Sequence, residues 1–248
     1  IMKANDVNDV HQLLNVSMNP ITISYSLPLK SETIIPSYDN MLRTIQQKLQ
    51  ENNVLKPNYQ FSFTLKQIDS YEQLALFFGE EIDLSDLFKI TSPNPIHKTV
   101  AVLDISQSYF SIAMDMPEEE LSNSPIVQEQ LSELIYVGSI EFGRRSILIV
   151  ESDLNYQDVK VALNEILNKS TTKKGDISEK SKSIMASSII RGLILDPLAN
   201  ENITPDNPLE YLLDYINSDI SPNDFGVPIF FTAAWLKDNS VFVNKFTN

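Results

Sequence analysis

Cysteine is missing from the 248 residues, which excludes a disulfide framework, a thiolate metal site and a cysteine nucleophile together. Glycine is scarce, at 6 residues, and none stands in a G-x-G-x-x-G or G-x-x-x-x-G-K-[ST] arrangement. The backbone cradle that nucleotide phosphates require is therefore not written in this chain. Histidine occurs twice, at His11 and His97, with no H-E-x-x-H, and no G-x-S-x-G is present; zinc hydrolysis and serine-triad chemistry both lack their usual residues. Positive charge is also in deficit. Nineteen Lys and Arg against 33 Asp and Glu leave a net charge of -14, which repels nucleic acid and anionic lipid headgroups alike. No apolar run approaches the roughly 18 to 20 residues of a spanning helix. The chain opens at Ile1 rather than at methionine, as expected of a processed product.

What is present is an ordinary apolar content of 42% on a chain long enough for a full core, as one large or two small domains. One stretch, NYQDVKVALNEILNK at 155–169, satisfies two periods at once. As a helix it aligns Val159, Ala162, Leu163, Ile166 and Leu167 on one stripe, with Asp158 near the favourable N-terminus. As a strand it places Val159, Val161, Leu163 and Leu167 on one face and Lys160, Asn164 and Asn168 on the other. Val161 belongs to the strand face only, and Glu165 falls on that face as its one acid. An ordinary amphipathic helix explains the first pattern; an element that is helix in one state and strand in another explains both.

Elsewhere the patterns are simpler. The first twenty residues carry Val7, Val10, Leu13 and Leu14 at helical spacing, and Ile21, Ile23, Tyr25 and Leu27 then alternate as a strand that Pro28 ends. Met41, Leu42, Ile45 and Leu49 predict a helix up to Gln50. Tyr59, Phe61, Phe63 and Leu65 alternate as an aromatic strand. Asp69 to Glu72 resembles a capping box ahead of a short helix through Leu74, Phe77 and Phe78. Beyond Gly79 a second doubly periodic stretch places Ile82, Leu84, Phe88 and Ile90 on one strand face, although helix is the better local reading. Strands are expected at 99–105, 108–115, 134–142 and 146–151, with a turn at Phe142-Gly143-Arg144-Arg145 and an acidic, helical connection at 117–132. The polar run 169–183 reads as a loop. An apolar segment at 184–195 is interrupted by Arg191-Gly192, a lone glycine that marks either a bend or a close backbone approach. A helix near 205–217 and a hairpin around 237–239 complete an α+β chain.

Taken together, IEFGR at 140–144 with its following strand, the helix at 155–169 and WLKDNSV at 235–241 resemble the corresponding segments of the cholesterol-dependent, or thiol-activated, cytolysins. NPITI at 19–23, Leu27-Pro28 and the stretch 100–117 resemble further segments of the same toxins in the same order, so the resemblance covers nearly the whole chain. It implies the MACPF/cytolysin fold shared with perforin-like proteins: a bent, four-stranded antiparallel core sheet flanked by two helical clusters, here 66–92 and 155–183. The chain 1–248 would be a single pore-forming core.

The resemblance further implies a secreted, soluble monomer that self-oligomerises and unfurls both clusters into membrane-spanning β-hairpins. Each cluster is long enough for two strands of roughly 9–11 residues and a turn. Val159, Val161, Leu163, Leu167, Ile82, Leu84 and Phe88 would then face lipid, Tyr59, Phe61 and Phe63 would lie on an oligomer edge strand, and Gly192 would be a hinge. No catalytic residue, cofactor or metal is implied. Two departures stand out: family members carry a glycine pair where only Gly192 is found, and their C-terminal membrane-recognition domain, with its Trp-rich, cysteine-containing loop, has no counterpart before Asn248. The expected partners are therefore further copies of the chain, a longer cytolysin-like protein that supplies membrane binding, and the target membrane, with no nucleic acid. The competing expectation is a non-pore-forming interaction protein that keeps the fold.

Overall fold

The structure, a computed structural model, describes residues 1–4, 11–52, 60–74, 84–92, 94–116, 120–172, 176–196, 199 and 208–243. In chain order its elements are β1 (Met2–Lys3), β2 (Gln12–Leu13), β3 (Ile21–Tyr25), β4 (Glu32–Ile34), α1 (Tyr38–Asn52), β5 (Gln60–Ile68), a 3-10 turn (Tyr71–Leu74), α2 (Leu84–Phe88), β6 (Thr99–Met114), α3 (Pro125–Glu129), β7 (Leu134–Ser152), α4 (Tyr156–Thr172), α5 (Glu179–Ala186), β8 (Ile189–Ile194), α6 (Pro208–Asn217) and β9 (Val227–Trp235). The α+β class holds, and the sheet is multi-stranded and antiparallel.

The strand count differs from the expected four: among the described residues the sheet has nine strands, with β6 and β7 paired at its centre. Strands β5 to β8 account for four, and the five others pair along the rest of the same sheet. Several of those are only two or three residues long, too short to show a period in the sequence. The turn expected at Phe142-Gly143-Arg144-Arg145 is likewise absent, because β7 runs unbroken for 19 residues. Its two arginines are tolerated there since each finds acceptors. Buried Arg144 donates to the carbonyl of Tyr215 at 2.7 Å, and Arg145 forks onto Asp104 of β6 at 2.7 and 2.9 Å.

The chain forms two compact units, one of Ile1–Gln60, Ser108–Gly143 and Ile220–Asn248, the other of Phe61–Gln107 and Arg144–Asp219. In the first, β3 pairs antiparallel with β4 and with the end of β6, Ile23 opposite Met114, while β9 pairs antiparallel with β7 from Ile135–Trp235 to Gly143–Val227. Helix α1 begins where Ser37 Oγ accepts the Asn40 amide, an N-cap after Pro36. It buries Met41, Ile45 and Leu49 against Phe110, Phe142 and Phe225, with Phe110 and Phe142 stacked at 5.3 Å. Gly226 has φ +80°, and a Cβ there would meet the Gly143 carbonyl at 2.2 Å, so no other residue fits. The helix expected in the first twenty residues is not found in their described part. Met2–Lys3 pairs instead with Gln12–Leu13 and with the start of β7, and Val7 and Val10 lie outside the described residues.

The second unit contains a run β5, β6, β7, β8 in which each strand pairs with the next. Strand parity sorts the centre of β7 onto two faces. Leu148 and Val150 join Ala101, Leu103 and Ile105 in one core, covered by α4, α5 and α6. Ile147 and Ile149 join Val100, Val102 and Leu193 in another, covered by Tyr71, Leu74, Phe88 and Ile90. A strand buried on both faces reads as a continuous apolar run, which is why ILIV at 147–150 shows no alternation.

Candidate functional site

Those of the residues singled out in the sequence that the structure describes lie in the second unit, where one helical cluster covers each face of the sheet. Helix α4 starts at an N-cap, Asn155, whose Oδ1 accepts the Asp158 amide at 3.0 Å. Its stripe is buried as the 3.6-residue period requires: Val159, Ala162, Leu163, Ile166 and Leu167 are each at most 4% exposed. Val161 stands 52% exposed on the outer side. The local sequence thus chooses the helix, while the apolar residue that only a strand would bury is left in solvent.

The polar run after it is not simply a loop. Helix α4 continues to Thr172, and α5 follows from Glu179 with Ser178 as N-cap, its side chain accepting the Ser181 amide. Ile184 and Met185 of α5 reach the same core as α4. Composition hid this helix, because the large apolar side chains it buries stand only at that one end and a serine-rich stretch scores as loop.

Polar contacts tie α5 to α4. The Glu165 carboxylate accepts from the Ser178 amide at 2.9 Å, the Ser178 hydroxyl at 2.7 Å and the Ser181 hydroxyl at 2.5 Å. Lys169, one turn along α4, adds an ion pair at 2.9 Å. Hydrogen bonds from Ser181, then Ser178 and Lys169, hold this carboxyl far below the usual carboxylate range. Asp158 makes a second link, to Lys180 at 3.2 Å, and that lysine with Asn155 keeps its carboxyl low as well.

On the opposite face the first cluster is held by Glu151, the last acid of β7, whose residue is 1% exposed. It accepts the Tyr71 hydroxyl at 2.6 Å, the backbone amides of Ile96 and His97, the latter at 2.9 Å, and an ion pair from Arg191 of β8 at 3.3 Å. Burial pushes the carboxyl up, but the donors outweigh it and its pKa is lowered; burial raises the Tyr71 hydroxyl, with Glu151 adding to it. The expected capping box is shifted by one residue: the Asp69 amide donates to Gln73 rather than to Glu72.

Of the other sequence-predicted positions, Phe88 is 2% exposed in the core beneath the first cluster. Leu84 opens α2, but its side chain lies outside the described residues, as do Ile82 and Tyr59. On β5, Phe61 packs partly against the core under α4 and α5, and Phe63 is 41% exposed. Among the described residues β5 pairs only with β6, and β8 only with β7. Gly192 sits opposite Leu148 in β8, where a Cβ would come within 2.6 Å of Leu212 Cδ1 on α6. Its role in this state is close approach; no positive φ is involved. Sequence reasoning missed Glu151, Arg191, Ser178 and Ser181. The local signals were an acid ending a doubly buried strand and a serine placed to cap a helix. Among the described residues no group of three His, Cys, Asp or Glu is arranged to hold a metal, and no helix is long and apolar enough to cross a membrane.

In the described part of the second unit, then, the sheet is covered on both faces by segments tied down through hydrogen-bonded carboxylates. The chain belongs to the thiol-activated cytolysin family, whose sequence model matches residues 5–248. Perfringolysin O of Clostridium perfringens is 23% identical over 92% of this chain and 50% of its own length. Tetanolysin of Clostridium tetani is 24% identical over 92% of this chain and 48% of its own. The crystal structure of listeriolysin O superposes with a TM-score of 0.72 at 18% identity, covering 97% of this chain and 55% of the toxin, a likeness of fold. The chain thus spans about half the length of these relatives. The family is non-catalytic, and the chain is not an enzyme.

Proposed function

We propose that the chain is a secreted pore-forming toxin component, a single core that oligomerises and refolds residues 66–92 and 155–183 into transmembrane β-hairpins beside a longer, membrane-binding family member. The observation that carries this reading is Val161. An apolar β-branched residue left 52% exposed on a helix adds nothing to the helical form, yet it completes the face formed by Val159, Leu163 and Leu167 once the segment is a strand. Ile82, Leu84 and Phe88 make the corresponding face in the first hairpin. Strand β5, through Tyr59, Phe61 and Phe63, is the edge onto which the next subunit adds, since an unpaired edge templates strand pairing. Gly192 is the hinge through which β8 parts from the helices beside it.

Val161→Lys separates the two states. In the soluble chain it is a surface change, expected within about 0.5 kcal/mol of the parent by urea unfolding. In the hairpin it places a charge on the lipid face, at about 2–4 kcal/mol per subunit near the midplane, and vesicle leakage with a longer family member should be lost. A fluorophore at position 161 that stays aqueous while vesicles leak contradicts the assignment. A chain that never promotes leakage with any partner favours the non-pore-forming alternative.

A further inference from the structure

The strand face that makes Val161 informative also contains Glu165, and the helical form uses that acid for something else. Four donor contacts converge on its carboxylate, three from the Ser178–Ser181 start of α5 and one from Lys169 of α4. Ser178 is at the same time the N-cap of α5, so the carboxylate grips the helix at the positive end of its dipole. The same side chain cannot keep these donors in a hairpin, where α4 and α5 no longer exist as helices.

We propose that Glu165 is a proton-linked latch on the second cluster: ionised, it clasps α5 to α4 through Ser178, Ser181 and Lys169, and conversion to the hairpin breaks this clasp and takes up one proton from solvent at the Glu165 carboxyl. This rests on the hairpin reading proposed above. The charged groups facing the latch are few. Lys169 lies beside it on α4; Asp158 and Lys180 form a neighbouring inter-helix pair; Lys182 is engaged by Glu179 on α5 and feels Asp176. The sheet beneath presents Ala101, Leu103, Ile105, Leu148 and Val150, none titratable, and α6 reaches α4 through the Asn217 amide on Ser170.

The sign follows from the two environments. The donors hold the Glu165 carboxyl low in the helical form, so the latch is at full strength above the ordinary glutamate range and weakens as pH falls. A carboxyl turned toward lipid is shifted upward. Conversion is therefore favoured by falling pH throughout the interval between the two values, by up to about tenfold per pH unit for one proton. Asp158 has no such second state, because it lies off the face that carries Val159, Val161 and Leu163.

Two measurements on the full chain test this. In the isolated soluble chain at neutral pH, amide exchange across 179–186 should quicken by about tenfold or more in Glu165→Gln, the loss of a charge-assisted clasp, while exchange in β7 is unchanged. Ser181→Ala, which removes a donor and no charge, should give a smaller increase. Equal exchange in the parent and both variants overturns the latch. With cholesterol-containing phosphatidylcholine vesicles and a full-length relative, a fluorophore at Val161→Cys should report faster conversion of the parent as pH falls. Glu165→Gln should be fast and flat with pH, and Asp158→Asn should keep the parent's slope. A slope that survives in Glu165→Gln overturns the proton linkage. A reporter that stays aqueous at every pH, with exchange as expected, overturns instead the hairpin reading on which the linkage rests.

Discussion

Glu151 shows how much one buried side chain can organise when its partners come from distant parts of the chain. Its donors belong to the first cluster, to the segment before β6 and to β8. A buried carboxylate is tolerable only when its lone pairs are filled this completely. Glu151→Gln exchanges one acceptor oxygen for a donor amide that faces other donors, and we expect a loss of about 2–4 kcal/mol in urea unfolding. The pH dependence has a definite sign. Because the carboxyl is held below its ordinary range, its contribution is present above that range and disappears as the solution is acidified through and below it. Stability curves of the parent should fall on the acid side, and Glu151→Gln should flatten part of that fall. Parallel curves would show that the carboxylate is not the titrating group.

At the scale of elements, the contact between β8 and α6 depends on the absence of a side chain. Leu212 fills the space over Gly192 and is itself fully buried, so a methyl group there must displace it within a packed core. Gly192→Ala is expected to lose about 1–3 kcal/mol by urea unfolding, the range for overpacking. If backbone freedom alone were the reason for glycine, alanine would be neutral or would stabilise by about 0.4–1 kcal/mol through the unfolded chain. The same experiment therefore distinguishes close packing from a purely conformational hinge. The α4–α5 pair makes a related point: α5 exists because its N-terminus is capped and gripped and one end of it reaches the core, while its composition resembles a loop.

At the scale of the molecule, the second unit keeps apolar surface buried on both faces of the sheet, so lifting either cluster uncovers a row of Ile, Leu and Val that has no polar alternative in water. The helical form is maintained by those cores together with the carboxylate contacts, and in the proposed refolding a membrane or a neighbouring subunit would offer the uncovered surface another place to go. Subunit addition at β5 is best tested at Phe63, since Phe61 is partly packed on the core. Phe63→Asp should leave thermal unfolding within a few degrees of the parent and should block ring formation seen by electron microscopy on vesicles. Normal rings would remove β5 from the interface. The net charge of -14 also predicts that the chain alone does not co-sediment with anionic vesicles at moderate salt; tight binding would reverse that expectation.

The sequence by itself determined the elements whose signal is local. Helix α1 and helix α4 followed from apolar spacing, β3 from alternation, and membership in the cytolysin family from segments such as LKDNSV at 236–241. It also determined which chemistries are missing, since absent cysteine and phosphate loops cannot be supplied by folding. Only the tertiary structure decided that β7 passes straight through Gly143-Arg144-Arg145, because what sustains a strand there is Asp104 and the carbonyls near the end of α6, both remote in sequence. It also decided that the polar run contains a helix, that Gly192 faces Leu212 and that Glu151 and Glu165 gather donors from separate segments. A local pattern records which way a side chain points relative to its neighbours in the chain. It does not record what stands opposite, and the energy of a buried carboxylate or a missing methyl group is fixed entirely by what stands opposite.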